Sequence, residues 1–279
     1  MYNHKYQILY DPEYRKVFRN QAVHRIKALE DFGDVKKGDI GGFVFNEDNL
    51  SKYDDCWIYG DAIVAENARV DDDAKVMGNA IVSGKAKIVD DAVVRDYAVI
   101  NDSAVVSDYA TVRDNAIVAD DARVYGEAIV DGRAHVGGNA HVFDNAHISD
   151  RASVEGDAYV FHNAIVDCSA HVKNRPVIAY KARITGRTEI DVPAKFLTDA
   201  EVSYDNQFLF IGPLGSRNDY TTFYKTSNGG IDVACGCFKG SLYEFITRVK
   251  KTYRLTNENS RKYRRFYLLA AKYAKKRLK

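Results

Sequence analysis

Every sixth residue from Ile58 to Val202 is Ile or Val, with the single exception of Phe196, through 25 consecutive registers. Four positions after each of these stands Ala, without a miss from Ala62 to Ala170. Two positions after each stands Gly or Asp at 16 of the 17 sites from Gly60 to Gly156, the exception being Glu66. A period of six matches neither the 3.6 of a helix nor the 2 of a plain strand. It matches a short strand followed by a tight bend, repeated. The β-branched residue points inward from a flat face, Ala occupies an inner corner too small for a larger side chain, and Gly or Asp tolerates the unusual backbone of the bend. Three faces close a triangular coil of about 18 residues, and coils stacked at ~4.8 Å form a prism of about eight coils, roughly 40 Å long.

Charge divides the chain into the same regions. Residues 1–57 carry 9 basic and 10 acidic side chains, residues 58–202 carry 15 and 24, and residues 203–279 carry 16 and 5. An acidic repeat thus lies between a neutral segment and a basic one, which suggests three units: 1–57, an N-terminal cap; 58–202, the repeat; 203–279, a C-terminal domain. No stretch reaches the 18 or more apolar residues of a membrane span. Four cysteines, none in a Cys-x-x-Cys pair, exclude a disulfide scaffold and a standard zinc finger. The N-terminal Met1–Tyr6 has no apolar run of the signal-peptide kind, so the expected location is the cytoplasm.

The pattern aliphatic-x-x-x-small-x resembles the hexapeptide repeat of the left-handed parallel β-helix superfamily and covers about half the chain. Left-handedness is implied by that resemblance alone. The segment Ala28–Val44 leading into Asp55-Cys56-Trp57-Ile58-Tyr59 resembles the entry segment of uncharacterised bacterial and phage-borne members labelled acyltransferase-like. The C-terminal string from Gly215-Ser216-Arg217-Asn218 to Ala234-Cys235-Gly236-Cys237-Phe238 is similar to a module appended to other phage and prophage repeat proteins. A phage origin would place the protein in the host cytoplasm. Physically, residues 1–57 should cover the open end of the prism, with Trp57, the only Trp, sealing the first coil.

Beyond Val202 the register dissolves. Residues 207–211, 220–226 and 231–235 read as three strands, with Asn228-Gly229 turning between the last two. Ser241-Leu242-Tyr243-Glu244 is a capping box opening a helix to about Tyr253. A second helix spans about Asn259 to Leu278, with Tyr263, Phe266, Tyr267, Ala270, Tyr273 and Ala274 as its apolar stripe.

Three functions compete. The resemblance implies a coenzyme-A-dependent acyltransferase using acetyl-CoA or another acyl-CoA, with a histidine as general base. His162 is the candidate because it replaces Gly/Asp at a corner, one coil from Asp144, which could orient its ring. Against this, nothing interrupts the register from 58 to 202 to supply an acceptor loop. His135, His141 and His147 fall on three different faces, so no zinc site of the γ-carbonic-anhydrase kind is expected, and no other metal or cofactor. Asp72, Asp90 and Asp108 share a corner, where Asx-turn roles are expected in place of calcium.

The reading favoured by the sequence is a non-catalytic, oligomeric binding scaffold. Outward positions that should be polar are apolar: Tyr125, His141, Phe143, Tyr159 and Phe161 on one face, and Ile81, Val99 and Ile117 on another. Self-association is expected there, and a homotrimer is what the superfamily resemblance implies. A protein partner or an anionic small molecule such as a nucleotide would be the cargo, with Arg217, Arg261, Arg264 and Arg265 as candidate contacts. Finally, residues 248–279 carry 13 basic and one acidic side chain interleaved with aromatics, consistent with nucleic-acid binding.

Overall fold

A computed structural model describes residues 5–279; Met1–His4, part of the N-terminal reading above, lie outside them. All 25 registers form two-residue strands, β5 (Trp57–Ile58) to β29 (Glu201–Val202), and these stack as three parallel sheets. Pairing steps by 18 residues, as in Val82↔Ile100 and Ile100↔Val118. The chain is therefore a parallel β-solenoid. Its inward Ile and Val side chains and its corner alanines, such as Val118 and Ala116, are fully buried.

Each corner from Gly60 to Gly186 places one residue in the left-handed region: φ is +56° at Asp72, +57° at Asp90, +55° at Asp108 and +70° at Gly126. Glycine meets the steric demand of that backbone, and Asp meets it with a carboxylate to spare. The spare carboxylate is used. Asp72 accepts the backbone N–H of Asp90 at 3.2 Å, Asp90 that of Asp108 at 3.1 Å, and Asp108 that of Gly126 at 2.9 Å. Even Glu66, the exception, adopts φ +59° and accepts the N–H of Gly84 at 2.6 Å. The Asp columns are thus rungs between coils.

Four strands build the N-terminal cap: β1 (Tyr6–Ile8), β2 (Arg15–Phe18), β3 (Gln21–Ala28) and β4 (Ile40–Val44). They are antiparallel among themselves, and β4 then pairs in parallel with Ile63–Val64, so the cap sheet runs into the first prism face. Trp57 is buried, with Tyr6 and Phe32 edge-on at 6.3 and 5.4 Å. Lys5 completes the plug: its buried ammonium donates to the carbonyls of Asp54 and Cys56 and lies 4.7 Å from the Phe32 ring. Gly42 lets β4 approach the first coil, since a Cβ there would stand 2.4 Å from Ile58.

The C-terminal unit has four strands, not three: β30 (Phe208–Leu214), β31 (Asp219–Lys225), β32 (Ile231–Cys235) and β33 (Phe238–Ser241), antiparallel in that order. β33 escaped the sequence reading because Phe238-Lys239-Gly240-Ser241 has no alternation and merges with the helix cap. Helices α1 (Leu242–Thr252) and α2 (Glu258–Arg277) follow. The capping box forms as expected, Glu244 N–H to Ser241 Oγ at 3.2 Å and Ser241 N–H to Glu244 Oε2 at 2.9 Å.

Period 2 sorts this sheet into two faces. Tyr224 and Ala234 join the prism core, whereas Phe223 and Val233 join a second core with Phe245, Val249, Tyr267 and Ala274. The unit is therefore a lid on the far end of the prism. It explains the one break in the Ile/Val register: Phe196, fully buried, reaches Phe208 at 5.3 Å and Tyr224 at 5.8 Å, filling space that a valine would leave empty.

Candidate functional sites

The histidines of the prism diverge as their spacing requires. His135, His141 and His147 stand on three different sheets. His147 Nε2 lies 3.1 Å from Asp131, which also pairs with Arg113 at 2.7 Å, and His135 lies 3.5 Å from Glu155. Among the described residues no group of three or more His, Cys, Asp or Glu side chains is arranged to hold a metal ion.

His162 and Asp144 do meet, through the backbone. Asp144 Oδ2 accepts the backbone N–H of His162 at 3.1 Å, as one more rung of the corner ladder. The imidazole lies between Phe161 and Tyr180, at ring distances of 4.7 and 4.6 Å, and its Nδ1 is buried without a hydrogen-bond partner. The surface groove it lines also carries Asp108, Glu127 and Asp144. Three carboxylates would repel the phosphates of coenzyme A.

The aromatic columns are regular. Tyr125 and Phe143 stack at 4.8 Å and Phe143 and Phe161 at 4.8 Å in one column, and His141 and Tyr159 at 5.0 Å in a second beside it, so the rings of each column repeat at the strand spacing. Desolvation, aided by the Arg123 charge, pushes the His141 imidazole below its ordinary pKa. On the second face the column begins under the cap: Phe43, Ile63 and Ala65 are covered, with Val23 and Phe18 packed on them. Beyond the cap Ile81 and Val99 are half-buried and Ile117 is 39% exposed. The cap thus covers only the N-terminal end of this face.

A cavity of about 260 Å³ lies in the C-terminal unit, between the β30–β31 turn, the β32–β33 turn and the end of α1. Its walls include Arg217, Arg248, Phe238, Tyr253, Tyr267 and Cys235. Tyr253 stacks on Tyr267 at 5.6 Å and its hydroxyl lies 3.2 Å from Ser216 Oγ. Burial holds the Tyr267 phenol well above the ordinary tyrosine range. Burial likewise raises the Cys235 thiol, whose sulfur accepts from Thr221 Oγ1 at 3.2 Å; it is a packed thiol and not a thiolate nucleophile. Neither arginine pairs with a carboxylate among the described residues. The one carboxylate on the wall, Asp219, has an oxygen on the backbone N–H of Tyr220 at 2.7 Å.

Of the four arginines singled out for an anion, only Arg217 reaches this cavity. Arg261 and Arg265 are exposed on α2 and Arg264 is half-buried there, none of them lining it. The sequence placed Arg248 only at the start of the basic 248–279 segment and not among the anion contacts. Its signal was present, since Phe245, Arg248 and Thr252 recur at i, i+3 and i+7 and so share one side of α1. The turn that brings Arg217 to that side was not visible. No protein-family model matches this chain, and no curated protein matches it in sequence.

Proposed function

We propose that this protein is a non-catalytic binding scaffold that holds a small anionic molecule bearing a planar ring, such as a nucleotide, in its C-terminal cavity. The observation that carries this reading is the pairing of Arg217 and Arg248, two guanidinium groups without carboxylate partners, beside the Tyr253–Tyr267 stack. Guanidinium groups bind phosphate or carboxylate through charge-assisted, bidentate hydrogen bonds, and the rings offer a face to a base. Arg248 lies 6.0 Å from the ring of Phe238, another residue of the cavity wall.

The prism is the frame of this scaffold. Its register and its small-residue corners support membership of the left-handed hexapeptide-repeat class, and the uncovered apolar columns support self-association, with three copies as the state that class favours. Acyl transfer is the weaker reading, because the Asp144 carboxylate serves a backbone N–H and the His162 groove is acidic.

Native mass spectrometry of the purified protein tests the proposal. A retained small anion, lost from the Arg217→Ala, Arg248→Ala variant, is the expected result. A protein that retains nothing and takes up no added nucleotide would contradict it.

A further inference from the structure

We propose that the outward face of α2 binds single-stranded nucleic acid. The sequence pattern places Phe266 and Tyr273 on the buried stripe of this helix, but they lie elsewhere. The buried side of α2 is Tyr267, Ala270, Ala271 and Ala274, and α2 presents Phe266, Leu269 and Tyr273 to solvent at 40%, 53% and 55% exposure. Their spacing of i, i+3 and i+7 puts them on one stripe. Lys262, whose ammonium lies 5.9 Å from the Phe266 ring, shares that stripe, and the exposed Arg265, Lys272 and Lys276 run beside it.

Charge points the same way. The chain from residue 203 carries 16 Lys and Arg against 5 Asp and Glu. Among the described residues every ion pair falls between Arg19 and Glu189, and no Lys or Arg of the C-terminal unit takes part in one. The protein's own acidic prism does not neutralise α2, because the β30–β33 sheet lies between them, one face in the prism core and the other in the helix core. Concentrated like charge and exposed rings are each unfavourable in water, and the same partner relieves both. Phosphates neutralise the cations with release of counterions, and unpaired bases stack on the rings. An acidic protein surface would satisfy the charges but give the rings no planar partner. Duplex DNA offers no unstacked base.

These residues lie outside the Arg217–Arg248 cavity, so the inference stands apart from the proposed function. The test is fluorescence anisotropy of the full chain with a labelled 20-nucleotide oligothymidylate, titrated over a range of salt. At low salt binding should be micromolar, with log K falling linearly against log salt at about −0.7 per phosphate contacted. Replacing both rings, Phe266→Ser with Tyr273→Ser, should weaken binding roughly tenfold or more while leaving the salt slope unchanged. Lys262→Gln, Lys272→Gln and Lys276→Gln together should flatten the slope, and this variant keeps the test alive if the ring variant is destabilised. A duplex of equal length should bind at least ~10-fold more weakly than the single strand. The proposal would be overturned by no binding at low salt, equal affinity for duplex and single strand, an unchanged affinity in the ring variant, or tighter binding to anionic phospholipid vesicles than to the oligonucleotide. Salt-sensitive self-association abolished by the same variants would assign the face to a second copy and would equally reject it.

Discussion

Asp144 and His162 occupy the same corner in successive coils, and the carboxylate of the first holds the backbone N–H of the second at 3.1 Å. This contact bears on the acyl-transfer reading. A carboxylate on the ring would orient a histidine base; here the carboxylate oxygen is on the N–H that a left-handed residue turns toward the neighbouring coil. Asp108 with Gly126 and Asp150 with Cys168 make the same bond at 2.9 and 3.1 Å, so Asp144 behaves as a member of the ladder.

Acetyl-CoA turnover with common amine and sugar acceptors should therefore be undetectable. A spectrophotometric thiol-release assay checks this. Turnover falling ~100-fold or more in His162→Ala would establish a general base at that corner and reject the scaffold reading.

The inner corner admits only a methyl group. Ala116 is fully buried, and Ala116→Arg places a charge among apolar side chains with no partner, at a cost of about 3 kcal/mol or more. Thermal denaturation should show a large fall in Tm or no soluble protein. A soluble variant with unchanged Tm would remove the corner assignment.

The ring ladder should lie within a contact surface between copies. Phe143→Asp with Phe161→Asp should lower the mass measured by light scattering while the β-type circular dichroism persists. An unchanged mass would show that the rings serve only to stack on one another along the prism.

His141 should titrate below 6.5 in an NMR titration, because burial beside Tyr125 and Tyr159 and the Arg123 charge both disfavour imidazolium. A histidine whose folded pKa is depressed binds fewer protons folded than unfolded. Its contribution to stability is therefore present above the unfolded value and declines as pH falls toward the folded one. Urea denaturation at pH 7.5 and 5.5 should show a loss at the lower pH that His141→Gln reduces. Titration at or above 6.5 would contradict the burial of this ring.

The prism was legible in the sequence because its period is enforced by geometry at every step: Val118 has one way to point and Ala116 has no room to grow. Trp57 was legible for a similar reason, as the single large residue at an open end. The C-terminal unit was less so. Its helix cap at Ser241 is a local signal and was readable, but whether Phe266 faces the core or the solvent depends on where β30–β33 lie, which no local pattern states. The Arg217–Arg248 cavity shows the same limit. It joins a turn to a helix 31 residues later, and only the tertiary fold brings them together.

Isothermal titration calorimetry with adenosine 5′-monophosphate, comparing the native chain with Arg217→Ala, Arg248→Ala, tests the binding-scaffold reading most directly. Two guanidinium contacts and a stacked base predict a Kd of ~100 µM or tighter for the native chain, adenosine without its phosphate binding at least ~10-fold more weakly, and no measurable heat in the variant. Both proteins should melt at the same temperature, since both side chains are exposed. Binding weaker than millimolar in the native chain, or binding that survives loss of both arginines, would contradict the assignment of an anionic ligand to this cavity.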